Sequence, residues 1–322
     1  MAGTGEHIKA LVRSHGNGDD AAFYAVALQV AAQAARRGHN QLADELKRTI
    51  DASRREPVAS KVTAIAQPRG DLADLVTASF PTVSLRDLVG PDELLDQLRR
   101  VLAEQRQRRE LLEHGFAPIH RLLLEGPPGT GKTMTASVLA QGLSLPLLTV
   151  RLDSLMSKFL GETASKLRVV FDAVAEQRAV YFFDEFDALG GDRAGNDVGE
   201  ARRVLNSFLV FLEQASPESI VVAATNHRSI LDRALFRRFD LVLTYDLPSP
   251  TQATATMRAR LGPIGRGIRW SSLEKETAGL SHADLVKASE AAAKHAIMCG
   301  QMQVSASDLR ASLATRRSAS VD

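Results

Sequence analysis

At 322 residues the chain is long enough to bury a large core, and two or three domains are expected. A hydrophobic fraction of 44% and a charged fraction of 24% are typical of a soluble protein, and no apolar run approaches the roughly 20 residues of a membrane span. A formal net charge of +2 argues against nucleic-acid binding, and the single cysteine, Cys299, cannot form an internal disulfide. With no apolar signal core in residues 1–10, we expect a cytoplasmic protein.

Residues 1–55 are predicted to form a helical N-terminal module. Helix start and stop signals indicate one helix over residues 21–37 and a second over residues 41–55, which together would make a hairpin or small bundle. The segment carries no visible chemistry, so two interpretations stay open: an adaptor for a partner or substrate, and a cap for the main domain. Residues 56–80 are interrupted by prolines and a glycine, and this pattern predicts a linker.

The rest of the chain alternates apolar runs with amphipathic stretches. The runs predicted as strands are residues 122–124, 147–151, 180–183, 220–224 and 241–245. Strands separated by helices are typical of a parallel sheet with helices on both faces, so residues 81–247 are predicted to be an α/β domain. Helical periodicity alone continues over residues 248–314 and predicts a helical lid. Residues 315–322 have no apolar anchor and are predicted to be disordered.

A glycine-rich motif, GPPGTGKT, occupies residues 126–133, between the first predicted strand and a helix-compatible stretch. In this order the glycines let backbone N–H groups close around phosphates at a helix N-terminus. Lys132 supplies a positive charge for the β and γ phosphate oxygens, and the hydroxyl of Thr133 can hold Mg²⁺. The motif therefore predicts binding of a nucleoside triphosphate.

The predicted strand 180–183 ends in two carboxylates, Asp184 and Glu185. Ligands of open α/β sheets bind at the carboxyl ends of the strands, which places Asp184 near the Mg²⁺ on Thr133. Glu185 could then polarise the attacking water. The two motifs together predict hydrolysis of the bound nucleotide.

These motifs resemble those of the AAA family of ATPases, in its protein-remodelling clade, over about residues 83–313. The resemblance implies an AAA+ P-loop NTPase fold, with ATP and Mg²⁺ as cofactors. It also implies that Asn226 is the family's sensor residue, which orients water against the γ-phosphate. The segment 279–285 resembles the lid signature, with His282 where the family has glycine. The residues expected to bind ATP are Asp87, Leu88, Val89, Gly90, Pro127, Pro128, Gly129, Thr130, Gly131, Lys132, Thr133, Met134, His282 and Ala283.

The segment 231–240 is similar to the family's arginine-finger segment, which implies a ring, usually a homo-hexamer. A guanidinium from a neighbouring subunit would neutralise charge on the γ-phosphate. The family separates its two arginines by two residues, whereas Arg237 and Arg238 are adjacent. The sequence leaves open which of them reaches the nucleotide, and it also allows both to be surface residues paired with Asp232 or Asp240.

A basic-aromatic-aliphatic segment, Lys158, Phe159 and Leu160, is similar to the loop that lines the pore of AAA protein translocases. An aromatic ring on a mobile loop grips many sequences with little entropy loss. The resemblance implies a protein substrate threaded through the ring, with residues 190–197 as a second pore-facing loop. The alternatives are a core position for Phe159 and an ordinary turn-rich loop at 190–197.

A narrower resemblance is to small bacterial single-ring AAA ATPases that are encoded beside a subtilisin-like serine protease. It implies such a protease as partner, in plasmid maintenance or phage defence. The motifs also allow two other functions: an ATP-dependent switch that recruits a partner without threading, and a DNA-handling ATPase. The small net charge argues against the second.

Overall fold

A computed structural model describes residues 26–27, 30–31, 68, 70–156, 162–189, 198–226 and 233–319. The chain divides into two units, residues 1–65 and 66–322. The described residues of the first unit, Val26, Ala27, Val30 and Ala31, are helical. The remainder of the predicted N-terminal module, and the linker up to residue 67, lie outside the described residues.

A six-stranded sheet organises the second unit, in the spatial order β1-β3-β4-β5-β2-β6. Neighbouring strands from β3 to β6 pair in parallel, whereas β1 pairs antiparallel with β3. The strands are β1 (Val76–Ser79), β2 (Arg121–Glu125), β3 (Leu147–Val150), β4 (Val180–Phe183), β5 (Ile220–Thr225) and β6 (Leu241–Thr244).

The helices of this unit cover both faces of the sheet and then form a separate layer. They are α1 (Asp71–Leu75), α2 (Asp92–Arg106), α3 (Arg108–Glu113), α4 (Lys132–Gly142), α5 (Leu152–Leu155), α6 (Glu162–Glu176), α7 (Val198–Glu213), α8 (Arg233–Phe236), α9 (Pro250–Leu261), α10 (His282–Met298) and α11 (Ala306–Ala319). None of the helices in the described ranges is long and apolar enough to cross a bilayer.

The central strands are apolar at consecutive positions because both faces of the sheet are covered. Every residue of β4 and β5 is buried. Successive side chains point to opposite faces, so Tyr181 and Phe183 enter one core with α6 and α7, while Val180 and Phe182 enter the other with α2 and α4. Because both faces of these strands are buried, the strands are continuous apolar runs, and such runs are easy to recognise in the sequence.

The three helices α9, α10 and α11 have a core of their own. It contains Met257 of α9, Leu285 of α10 and Leu309 of α11, all fully buried or nearly so. The layer therefore packs as a unit beside the sheet, at the position in the chain where the sequence predicts a lid.

Two boundaries predicted from the sequence were wrong. The predicted linker 56–80 includes α1 and β1, whose residues pair from Val76 opposite Val150 to Ser79 opposite Leu147. An edge strand has one neighbour and only partly buried side chains, so its apolar pattern is weak. The tail predicted from residue 315 is helical through Ala319. Its anchor is polar, since the guanidinium of Arg317 donates to the backbone carbonyl of Glu276.

Candidate active site

A cavity of about 710 Å³ lies between the carboxyl ends of the strands and the helices α9 and α10. Its volume is in the range of small-molecule and cofactor sites. Predicted site residues from five separate segments line it together: Asp87, Leu88, Val89, Pro128, Gly129, Thr130, Gly131, Lys132, Thr133, Met134, Asp184, Glu185, Asn226, His282 and Ala283. Gly90 and Pro127 lie outside the lining set, beside residues that belong to it.

The loop between β2 and α4 is shaped by glycine. Gly126 has φ of +149°, and a Cβ there would lie 2.1 Å from the carbonyl oxygen of Tyr245. Gly131 has φ of +108° and precedes the first residue of α4, Lys132. The chain therefore turns tightly from the strand into an eleven-residue helix, whose free N–H groups and positive dipole end meet the cavity.

Lys132 is held inside this loop. Its Nζ donates to the carbonyls of Gly126 and Pro127, both at 2.7 Å, and the residue is only 6% exposed. Burial lowers the pKa of Lys132, and the nearby carboxylates Asp184 and Asp187 oppose that shift. The ammonium group is thus positioned beside the loop that would carry phosphates.

Thr133 and Asp184 form an oxygen-rich pair at the edge of the sheet. The hydroxyl of Thr133 donates to Oδ2 of Asp184 over 3.0 Å. Asp184 Oδ1 also accepts from the backbone nitrogen of Glu185 at 3.0 Å. A hydroxyl and a carboxylate are the ligands that a hard cation such as Mg²⁺ takes from proteins, and the pair fits such an ion.

Glu185 follows β4 in the left-handed region of backbone space, with φ of +50°. A residue with a side chain pays on the order of 1 kcal/mol or more to stay there, and such strain concentrates at functional sites. The turn directs an exposed carboxylate into the cavity, one residue beyond Asp184.

Asp187 contacts the cavity residue Asn226, and the sequence did not predict this contact. It lies in the short 3₁₀ helix Phe186–Leu189, and its Oδ1 accepts from the backbone nitrogen of Asn226 at 3.3 Å. This contact ties the end of β5 to the acidic segment after β4. The available signal was a third carboxylate two residues after Glu185.

The lid reaches the cavity through the start of α10. Ser281 caps this helix by a reciprocal pair of contacts with Asp284. The backbone nitrogen of Ala283 donates to the carbonyl of Gly129 at 3.0 Å, and Nδ1 of His282 lies 2.7 Å from the hydroxyl of Thr256 on α9. Thr256 was not predicted, because its pairing joins residues 26 positions apart.

The two adjacent arginines do not line the cavity of their own chain. Arg238 pairs with Glu213, Nε to Oε1 at 3.3 Å, whereas Arg237 is exposed and has no ion pair among the described residues. The alternative pairing with Asp240 does not occur in the described contacts, since Asp240 accepts from Arg121. Asp232 lies outside the described residues.

The predicted pore segment also lies outside the described residues. This holds for Lys158, Phe159 and Leu160, and for residues 190–197 of the second loop. Their proposed contact with substrate stays a prediction.

Comparison with known proteins agrees with this geometry. Residues 122–247 match the family model described as ATPase family associated with various cellular activities (AAA). A relative from Sinorhizobium fredii, named uncharacterized AAA family ATPase y4kL, is 34% identical and covers 96% of this chain and 94% of its own length. The chain belongs to the AAA family of ATPases. The AAA assignment and the α/β P-loop fold predicted from the sequence are thereby confirmed, as is ATP hydrolysis.

Other relatives of this AAA ATPase are larger proteins. The ATP-dependent zinc metalloproteases FtsH of Caldicellulosiruptor bescii and of Bacillus subtilis are each 32% identical to it. The match covers 72% and 74% of this chain but only 39% of either relative. AAA ATPases use ATP with a divalent metal ion, typically assemble into rings, and at family level drive protein remodelling.

Proposed function

We propose that this chain hydrolyses ATP in the cavity described above and uses the energy to remodel or thread a protein substrate through a homo-hexameric ring. In this proposal residues 71–247 are the ATPase core, residues 248–319 are the lid, and residues 1–55 bind a partner or substrate. The observation that carries it is the convergence of the phosphate loop, the paired acids and the lid on one cavity.

The chemistry follows from the positions of five side chains. Lys132 and the N–H groups at the start of α4 bind the phosphates, and Thr133 with Asp184 would hold Mg²⁺. When bound, the cation neutralises charge on the phosphate oxygens. Glu185 accepts a proton from the attacking water, and Asn226 orients that water.

We assign the arginine finger to Arg237. Neither arginine lines the cavity of its own chain, so a finger has to come from a neighbouring subunit. Arg238 is already paired with Glu213, while Arg237 is exposed. A finger in trans contributes on the order of 10³ to 10⁵ in rate in related phosphoryl transfers.

Subunit mixing tests both the site and the finger. Rings of Glu185→Gln alone lack the base, and rings of Arg237→Ala alone lack the finger, so both are expected to be inactive. In an equal mixture a site with Glu185 can face a neighbour with Arg237. Random assembly then restores about a quarter of wild-type turnover, because each condition is met at half of the positions.

Arg238→Ala is the matched control for this experiment. It removes an adjacent arginine of the same type and a partly exposed ion pair, and we expect it to retain most of the turnover. Absence of restored activity in the mixture, at protein concentrations where rings form, would contradict a finger in trans. If Arg238→Ala loses turnover and Arg237→Ala keeps it, the finger is Arg238 and the assignment is reversed.

The substrate is proposed to be protein. Two relatives are named ATP-dependent zinc metalloproteases, and the predicted pore segment includes the aromatic residue Phe159. Unfolded casein should stimulate turnover of the full chain, and Phe159→Ala should remove that stimulation. Stimulation that persists in the variant would favour the alternative, a nucleotide-dependent switch that recruits a partner without threading.

Pairing with a subtilisin-like serine protease, and a role in plasmid maintenance or phage defence, rest on sequence resemblance alone. Both are tested by co-purification with a protease encoded beside this chain, in the presence of ATP, of ADP and of no nucleotide. Failure of that protease to bind in any of the three states would exclude the pairing. DNA handling predicts salt-dependent DNA affinity, which we do not expect. The cytoplasmic location stays a prediction.

A further inference from the structure

A histidine and a threonine form a pair in the lid wall of the cavity. His282 begins α10 and Thr256 lies on α9, and both line the cavity. Nδ1 of His282 and the hydroxyl oxygen of Thr256 are 2.7 Å apart. Because the pair joins two helices of the lid, the imidazole ring is fixed in one orientation.

The contacts of Thr256 decide which ring nitrogen carries the proton. Its hydroxyl also lies 3.0 Å from the backbone carbonyl of Gln252, which can only accept. With the hydroxyl proton donated to Gln252, Nδ1 of His282 is the donor to Thr256. In a neutral ring with its proton on Nδ1, Nε2 is a hydrogen-bond acceptor.

The surroundings keep this ring neutral. Burial lowers the pKa of His282 below its ordinary value, so the imidazole is uncharged at neutral pH. Two charged residues of the lid have partners of their own: Arg260, which also lines the cavity, pairs with Glu290 at 2.6 Å, and Asp284 accepts from Ser281.

The end of the cavity at His282 is suited to a flat, largely apolar ring. The lid meets the phosphate loop here, since the backbone nitrogen of Ala283 donates to the carbonyl of Gly129 at 3.0 Å. The aliphatic residues Leu88, Val89, Ala259 and Val286 line the same cavity, together with the charged residues Arg86, Asp87 and Arg260. A nucleotide with its phosphates on the loop could pack its base against these aliphatic side chains.

We propose that His282 selects the base of the nucleotide, with Nε2 accepting a hydrogen bond from the exocyclic amino group at position 6 of adenine. The inference rests on the proposed function, because it requires the nucleotide to bind in this cavity. Guanine and hypoxanthine carry an acceptor oxygen at position 6. Two acceptors would then face each other without a proton between them, which disfavours 6-oxo purines.

The decisive experiment compares two ligands that differ only in the amino group. ATP and purine riboside triphosphate, which has hydrogen at position 6, are titrated against the full chain and against His282→Phe. The variant keeps a ring of similar shape and removes the acceptor. We expect the preference for ATP to fall roughly three- to tenfold in the variant, the value of one neutral hydrogen bond. An unchanged preference overturns the inference.

Two substitutions of Thr256 give an independent test if the phenylalanine variant fails to fold. Thr256→Val keeps the shape but removes the hydroxyl that fixes the ring tautomer, so the preference for ATP over purine riboside triphosphate and over GTP should fall. Thr256→Ser keeps the hydroxyl and should retain both preferences. Equal preferences in the two variants contradict the proposed role of the pair.

Lys132→Ala separates this inference from the proposed function. If the cavity is the nucleotide site, this variant loses affinity for ATP, purine riboside triphosphate and GTP alike. The loss does not depend on which base is preferred. Wild-type affinity in Lys132→Ala would overturn the proposed function itself. Normal binding that ignores the amino group would overturn only the role of His282.

Discussion

The backbone nitrogen of Ala283 donates a hydrogen bond of 3.0 Å to the carbonyl of Gly129, which joins the lid to the phosphate loop. Gly129 has φ of +74°, and a Cβ there would lie 2.6 Å from Oγ of Ser281 and 2.9 Å from Cβ of Ala283. Lid and loop thus approach each other so closely that a side chain cannot fit between them. A movement of the loop on phosphate binding would be passed directly to α10.

Gly129→Ala is expected to separate the lid from the loop. The added methyl group forces the two apart, and the positive φ adds backbone strain of about 1 kcal/mol or more. We expect ATP affinity to fall at least tenfold in a calorimetric titration. Gly115→Ala is the control, since Gly115 has a similar φ of +81° but open space around it. It should lose similar stability and keep its ATP affinity; equal affinity losses would contradict the steric argument.

Asp184→Asn is expected to alter the requirement for divalent cation. The substitution removes the charged oxygen that pairs with Thr133, and an amide is a weaker ligand for a hard cation. The Mg²⁺ concentration for half-maximal turnover should rise about tenfold or more. In Glu185→Gln, where turnover is lost, the Mg²⁺ dependence of ATP binding should stay at the wild-type value. A similar shift in both variants would argue against a cation at Thr133 and Asp184.

The parts of this fold that the sequence predicted are those with local signals. Strands such as β4 and β5 are covered on both faces and are therefore continuous apolar runs. The phosphate loop combines glycines, a lysine and a hydroxyl within eight positions. In each case neighbouring residues along the chain carry the whole pattern, so one sequence was sufficient to predict the element.

The features that sequence reasoning missed depend on contacts between distant residues. Strand β1 is recognised by its pairing with β3, about 70 positions away, and the end of α11 by the bond from Arg317 to Glu276. The pairing of Thr256 with His282 is of the same kind. None of these partners can be identified from local periodicity, because each residue alone fits a surface position equally well.

Asp240 is expected to make stability depend on pH. Burial opposes ionisation of this carboxyl, but hydrogen bonds from His120 and Arg121 outweigh burial and hold the pKa of Asp240 well below its usual range. The carboxyl is thus ionised in the folded chain at pH values where it is protonated in the unfolded chain. The stability it contributes is fully present above about pH 4, the unfolded value, and is lost as pH falls toward the folded value.

Asp240→Asn should therefore lower the free energy of unfolding by about 1–3 kcal/mol at pH 7, and the difference from wild type should shrink below about pH 4. Urea unfolding at a series of pH values measures both. Asp246→Asn, at an exposed aspartate six residues further on, should change stability by less than about 0.5 kcal/mol. A difference for Asp240→Asn that stays constant down to pH 3 would rule out the ionised carboxyl as its source.

The last prediction concerns a buried hydroxyl pair behind the phosphate loop. The phenol of Tyr245 lies 2.6 Å from Oγ1 of Thr135, whose own proton is directed to the carbonyl of Gly131 at 3.2 Å. Thr135 has one proton, so Tyr245 is the donor in the shorter contact, and burial raises the pKa of its phenol, which keeps that proton in place.

Tyr245→Phe should then cost about 1 kcal/mol, because the bond to Gly131 survives. Thr135→Val should cost about 2 kcal/mol or more, since it breaks both bonds and leaves the phenol without its acceptor. Thermal and urea unfolding of the two variants show which of them loses more stability. Equal losses would mean that the bond to Gly131 contributes nothing, and that the start of α4 is positioned by its backbone alone.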